Sequence, residues 1–217
     1  MFLTNTKGYA IEVTGVRKSV GSNLVLKNID LVVQYGEIVG IIGPNASGKT
    51  LLLRLISGLA YPDAGKIVTG GKTIGPQKGG TLADVGVLIE TPGFLPHLSG
   101  KDNLRLLAML RGKIGDEEID AAMERVGLNP TDRRPVKAYS LGMRQRLGIA
   151  QAIMESPSII LLDEPTNSLD PEYSESFLAM LRELRDRGTA IVMTSHELEE
   201  VKAVADRILT LKNGVLS

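Results

Sequence analysis

Residues 43–50 read Gly43-Pro44-Asn45-Ala46-Ser47-Gly48-Lys49-Thr50, which matches the pattern G-x-x-x-x-G-K-[ST], and the apolar run 38–42 leads straight into it. This order predicts a buried strand ending at Gly43, a loop whose backbone N–H groups converge on a polyphosphate, and a helix over 51–57. Lys49 is then placed to reach the β- and γ-phosphates, and the Thr50 hydroxyl to bind Mg²⁺. Glycines here also suit an ordinary turn between a strand and a helix. The complete pattern with both flanks instead points to a nucleoside triphosphate held by Gly43, Pro44, Asn45, Ala46, Ser47, Gly48, Lys49 and Thr50.

Composition narrows the setting. A chain of 217 residues suits one large domain, or a core with a smaller lobe, and is long enough to bury a substantial apolar interior. Lys plus Arg and Asp plus Glu each number 25, so charge gives no general argument for nucleic acid as a partner. The absence of cysteine removes disulfides, zinc–thiolate sites and cysteine nucleophiles together, and fits a reducing compartment. Residues 1–7 lack the charged head and long apolar stretch of a secretory signal. Runs such as 38–42 and 159–162 fall far short of the roughly 20 residues that span a bilayer. The expectation is a soluble, cytoplasmic protein whose membrane role, if any, comes through a partner.

Residues 9–16 and 24–33 alternate apolar and polar for much of their length, as half-buried antiparallel strands do, although Asn28 and Asp30 interrupt the second run. Tyr35-Gly36 turns the chain into the first parallel strand, and Pro62-Asp63-Ala64-Gly65 closes the segment after the first helix. Further strands are expected at 65–69 and 85–89, then helical periodicity from 100 to about 156. Short apolar runs resume at 159–162 and 190–193, with a helical stretch over 172–187 between them. That alternation argues for parallel strands joined by crossover helices. The organisation expected is a single α/β domain, 1–217. Its nucleotide-binding core, residues 1–90 and 157–217, has a mostly parallel sheet and begins with an antiparallel β unit. A helical lobe of about 65 residues, near 91–156, interrupts the core.

A second constellation is Ile159-Ile160-Leu161-Leu162-Asp163-Glu164-Pro165-Thr166. Four apolar residues make a buried strand, and open α/β sheets place ligands at the C-terminal ends of such strands. Asp163 there can hold Mg²⁺, and Glu164 can orient or deprotonate an attacking water. Read alone, the two are also compatible with solvated carboxylates before a proline turn. His196 follows the strand over 190–194 and has two readings: an N-terminal helix residue with Ser195 as the cap, or a γ-phosphate sensor facing the same crevice. His97, between Pro96 and Leu98, reads as structural or exposed.

Together these residues resemble the ATP-binding-cassette (ABC) ATPase family over essentially the whole chain. Its most specific marker is Tyr139-Ser140-Leu141-Gly142-Met143-Arg144-Gln145-Arg146, which is similar to the signature L-S-G-G-Q and stands about twenty residues before Asp163. The resemblance implies a P-loop NTPase fold, ATP and Mg²⁺ as cofactors, and a head-to-tail pair, homodimeric or heterodimeric, with two ATP molecules between the subunits. It implies that Ser140, Leu141, Gly142 and Met143 meet the ATP of the opposite subunit, with Ser140 doubling as a helix cap. Glu164 matches the general base, Asp163 the magnesium-associated carboxylate and His196 the switch histidine. Asn167-Ser168-Leu169-Asp170 matches the segment at the subunit interface, with Asp170 also suited to cap a helix before Pro171.

The chain departs from the family pattern at several places. Glu90 stands where the coupling loop usually begins with Gln; it can still offer an oxygen to Mg²⁺, but it adds a negative charge. Leu141 replaces the first signature glycine and Met143 the glutamine. Val20, ahead of Gly21, falls where an aromatic usually stacks on adenine, and Tyr9 is a possible substitute. The function implied is the energy-coupling ATPase subunit of a membrane transporter, held on the inner face of the membrane by transmembrane permease subunits, with no direct nucleic-acid partner. Phe94-Leu95-Pro96 and the stretch from Lys101 would form the docking surface. The Glu90 loop and the signature variant are similar to those of the subgroup that exports antibiotics, peptides or drugs. The alternatives are a soluble ABC-type ATPase acting on nucleic acid, ribosomes or iron–sulfur assembly, and a regulator without turnover.

Overall fold

The computed structural model describes residues 8–76, 84–90, 92–167 and 169–217. The expectations for 1–7 and for Ser168 lie outside these residues. The chain builds two sheets. The first is antiparallel, with β1 (Ile11–Val20) flanked by β2 (Asn23–Val33) and β4 (Ala64–Thr69), and with β5 (Lys72–Thr73) beyond β4. The second has six strands in the order β10-β9-β3-β8-β7-β6: β3 (Ile38–Ile42), β6 (Val85–Leu88), β7 (Ile159–Asp163), β8 (Ala190–Ser195), β9 (Arg207–Lys212) and β10 (Val215–Leu216). All neighbours in it are parallel except the closing β9–β10 hairpin.

β7 and β8 are buried at every position, which is why they read in sequence as continuous apolar runs and not as alternation. Their successive side chains nevertheless part to opposite faces. Val39, Ile41, Ile159, Leu161, Ala190 and Val192 join a core with helix α1 (Lys49–Ile56) and the inward residues of the antiparallel sheet. Ile38, Ile160, Leu162, Ile191 and Met193 join a second core on the other face. That core is filled by α2 (Gly100–Arg111), α3 (Asp116–Arg125), α4 (Leu141–Ile153) and α5 (Pro171–Asp186). A short helix, α6 (Leu198–Lys202), closes the layer through Val201.

The broken alternation around Asn28 has a local cause. Pairing steps from Val13↔Leu31 to Val16↔Ile29 and then to Lys18↔Leu26, so one extra residue enters each strand in turn. Gly15 and Asn28 take the left-handed conformation at these bulges, with φ of 59° and 55°. Leu26, Ile29, Leu31 and Val33 thereby all reach the core despite their uneven spacing.

The helices between β6 and β7 are not a detached lobe. α4 packs on β6, where a Cβ on Gly86 would lie 1.9 Å from the Ala152 carbonyl oxygen, so any side chain there would push helix and strand apart. α2 and α5 start with side-chain caps: Ser99 accepts from the Asp102 amide, and Asp170 from the Tyr173 amide.

Candidate nucleotide site

The sheet order places β8 between β3 and β7, and its register aligns their C-terminal ends. Ile42 pairs with Ser195 and Asp163 with Thr194, so the segments that follow these strands emerge side by side. Between them opens a cleft of about 700 Å³.

The loop after β3 is folded tightly. A Cβ at Gly43 would meet the Leu211 carbonyl oxygen at 2.3 Å, and one at Gly48 the Leu26 side chain at 2.8 Å. Gly48 has φ 105°, and Ala46 takes φ 63°, a left-handed conformation that costs a non-glycine residue about 1–2 kcal/mol. Lys49, 6 % exposed, donates to the Gly43 carbonyl at 2.8 Å and to that of Pro44 at 3.4 Å, bracing the loop from within. The buried Ser47 hydroxyl has no hydrogen-bond partner among the described residues. A buried hydroxyl without a partner is costly, and a phosphate oxygen in the loop would satisfy it.

Asp163 is tied at both oxygens. Thr50 Oγ1 donates to its Oδ2 at 2.7 Å and Thr194 Oγ1 to its Oδ1 at 2.7 Å. Thr194 also accepts from the Glu164 amide at 3.0 Å, so one hydroxyl on the central strand fixes both acidic residues. Glu164 is held with φ 47°. Its Oε1 lies 3.2 Å from Lys49 Nζ, and its Oε2 accepts from the His196 amide at 3.2 Å and lies 2.7 Å from His196 Nδ1. Among the described residues no three His, Asp or Glu side chains converge as a metal cage. Thr50 and Asp163 alone suit Mg²⁺, which ordinarily completes its octahedron with substrate phosphates and water.

The bond to Glu164 raises the pKa of His196, with the Glu164 charge adding to it and Lys49 opposing it. A raised histidine pKa favours the protonated form. The stabilisation is fully present below the ordinary value near 6.5 and is lost as pH rises through the folded value. Glu164→Gln removes the largest cause, so the His196 midpoint should fall toward the ordinary value. The chain has only two histidines, so ring-proton NMR resolves both. A midpoint unmoved by the substitution would show that Glu164 does not control the ring.

Among the described residues the cleft is lined by Val20, 58 % exposed, and by no aromatic side chain. Tyr9 lines a separate cavity with Tyr35 and Gly70, so it does not substitute for Val20 within this chain. Glu90, with φ 59°, reaches the wall of the cleft, where Arg54 engages its Oε2 at 2.6 Å. The structure thus joins Thr50 and Asp163 of the expected metal set, while the third member, Glu90, is paired with a guanidinium.

A family model described as ABC transporter matches residues 26–167. The chain belongs to this family. Relatives include the uncharacterized ABC transporter ATP-binding protein YdbJ of Bacillus subtilis (strain 168), 42 % identical over 205 residues, 94 % of this chain and 67 % of that one. The bacitracin transport ATP-binding protein BcrA of Enterococcus faecalis is 40 % identical over 96 % of this chain and 68 % of its own. The lantibiotic transport ATP-binding protein SrtF of Streptococcus pyogenes is 34 % identical over 94 % and 87 %. In fold, the chain is similar to the dimeric bacterial ABC transporter cassette MJ0796 at a TM-score of 0.86 and 24 % identity, covering 95 % and 96 % of the two chains. An ATP-binding subunit of an ABC transporter aligns at 0.85 and 27 %, covering 95 % and 88 %.

In this ABC cassette the signature residues stand apart from the cleft of their own chain. Ser140 caps α4, accepting from the Met143 amide at 3.1 Å, with Ser140 and Leu141 exposed and Gly142 and Met143 half-buried. Gln145, one turn on, donates to the Pro165 carbonyl at 3.1 Å and so touches the segment after Glu164. Arg146 pairs with Asp170 and stacks 3.9 Å from the Tyr173 ring centroid. The Tyr173 amide, with Arg146 beside it, holds the Asp170 carboxyl below the usual carboxylate range, and burial pushes Tyr173 up to about 12.

Ser195 ends β8 and does not cap a helix. α6 begins at Leu198, and His196 stands in the intervening turn. There the Ser195 hydroxyl accepts from the Glu197 amide at 2.9 Å and donates to Glu200, which also accepts from Thr166 at 2.6 Å. Thr194, Glu200 and Arg54 escape a motif reading, because each acts on a residue more than thirty positions away. His97 is exposed. Of the expected docking segment, Phe94 packs into the helical core, whereas Leu95, Leu106, Met109 and Leu110 are exposed.

Proposed function

We propose that this chain binds and hydrolyses ATP with Mg²⁺ and powers an ABC membrane transporter, an exporter, through head-to-tail pairing of two ATPase subunits. The observation that carries the reading is the joining of Thr50 to Asp163 and of Lys49 and His196 to Glu164 at the aligned ends of three strands.

The residues divide the work by chemistry. Amides of the Gly43–Thr50 loop, with Lys49, bind and orient the polyphosphate. Thr50 and Asp163 would hold Mg²⁺, with Glu90 on the same wall; the ion when bound supplies charge neutralisation at the phosphates. Glu164 accepts the proton of the attacking water, and His196, hydrogen-bonded to it, fixes that carboxylate toward the phosphate end. Val20 offers adenine an aliphatic contact at the open side of the cleft. Ser140 and the first amides of α4, which do not line their own cleft, offer an anion site to the γ-phosphate on a second subunit, a homodimer or heterodimer partner, with Asp170 near that interface. Residues 1–90 and 157–217 form the nucleotide-binding core, and about 91–156 the lobe that moves with it.

Among the described residues no helix is long and apolar enough to cross a membrane. Membrane contact would come through permease subunits docking on exposed Leu95, Leu106, Met109 and Leu110, placing the chain at the cytoplasmic face. The relatives named for bacitracin and lantibiotic transport support an exporter. Purification from detergent-solubilised membranes tests the reading. Recovery of a polytopic membrane subunit is expected, and recovery of ribosomes or DNA in its place would overturn it.

A further inference from the structure

We infer that Arg54 is a positioning residue for Glu90: it holds that carboxylate on the wall of the cleft that Thr50 also lines, and so sets how tightly the cleft takes a divalent cation. The inference rests on the ATP and Mg²⁺ reading given above.

The geometry follows from α1 and the sheet edge. Thr50 and Arg54 are four residues apart on α1, so their side chains share one face about one turn, or 6 Å, apart. Thr50 is at the top of that face, against Asp163. Glu90 leaves the end of β6, the edge strand beside β7, and its left-handed φ of 59° turns it back toward the cleft. There its Oε2 meets Arg54 Nη2 at 2.6 Å, and both side chains line the same cavity as Thr50 and Glu164.

The charge pattern gives the pair its consequence. Glu164 is matched by Lys49, and Asp163 accepts one hydroxyl at each oxygen, which leaves lone pairs for a cation. Glu90 is a further carboxylate on the same wall, and Arg54 is its cation. A glutamine at this position would carry no charge to match; a glutamate without Arg54 is an anion without its cation in the cavity that Thr50 lines. Releasing it adds a hard oxygen ligand to a pole that otherwise offers one carboxylate and one hydroxyl. Arg54 therefore restrains metal affinity while leaving the carboxylate within reach.

The test is a double-mutant cycle read by Mn²⁺ binding, followed by electron paramagnetic resonance at saturating non-hydrolysable ATP analogue. At about 0.5 M salt, where the screening length is about 4 Å, the bare loss of a distant positive charge contributes little. Arg54→Ala is expected to tighten Mn²⁺ binding about fivefold, the scale of one partly exposed ion pair. Arg54→Lys should stay near the unsubstituted protein. In a Glu90→Gln background, Arg54→Ala should change Mn²⁺ affinity by less than about twofold. Equal tightening in both backgrounds would show that Arg54 acts on the metal or nucleotide directly, and no tightening in either would show that the pair restrains nothing. Each result overturns the inference. Both side chains are substantially exposed, 41 % and 56 %, so the fold should survive every variant, and thermal melts check this. Failure of the unsubstituted protein to bind the nucleotide at all would instead overturn the reading of the cleft, and the inference with it.

Discussion

Glu164→Gln should lower ATP turnover by about a hundred- to ten-thousandfold, the range for loss of a positioned general base, while ATP binding persists. The substitution keeps the shape of the side chain and its place after β7, where the Glu164 amide is held by Thr194. It removes the charge that lies 3.2 Å from Lys49 Nζ and 2.7 Å from His196 Nδ1. Lys49 is thereby released from its competing carboxylate, so affinity for the polyphosphate should hold or rise. A pair of subunits that closes on ATP and cannot hydrolyse it should accumulate. Size-exclusion chromatography with ATP and Mg²⁺ then shows a dimer peak that the unsubstituted protein lacks. Turnover within about twofold of normal would remove Glu164 from its role as base.

Lys49→Ala should weaken ATP binding about ten- to a hundredfold, the equivalent of one or two charge-assisted hydrogen bonds. Two losses combine. The point charge facing the phosphates disappears, and so do the bonds from Nζ to the carbonyls of Gly43 and Pro44 that brace the loop. Because Lys49 is 6 % exposed, the change also leaves Glu164 without its cation in a confined place. Calorimetric titration with ATP reads the affinity, and a thermal melt separates loop loosening from global unfolding. Unchanged affinity would mean that the nucleotide is not held by this loop.

Strands buried on both faces were the most legible part of this chain. β3, β7 and β8 carry apolar residues at nearly every position, and the phosphate loop and acidic pair follow them in fixed order. β9 offers no such signal, since four of its six residues are only half-buried. The first hairpin was half legible, because bulges at Gly15 and Asn28 shift the phase of the alternation. Within the site, motif spacing singles out Lys49 and Thr50 at the start of α1, and Asp163, Glu164 and His196 at or just after strand ends. It is silent on Thr194, whose importance arises only once β8 is known to lie between β3 and β7. Glu90 shows a different limit. Its residue type suggests a metal ligand, but its partner sits 36 positions earlier on a helix, and no local pattern announces that pairing.

The six-stranded sheet is a partition between two oily layers. Side chains that brace the phosphate loop belong to one layer, and those that carry the signature helix and the exposed apolar stretch of α2 belong to the other. Residues with no shared neighbours have nearly independent effects on stability. The two layers meet where Ile42, just before the loop, packs on the helical core and where Gln145 bonds the Pro165 carbonyl, so away from those two contacts the helical face can change without loosening the phosphate loop.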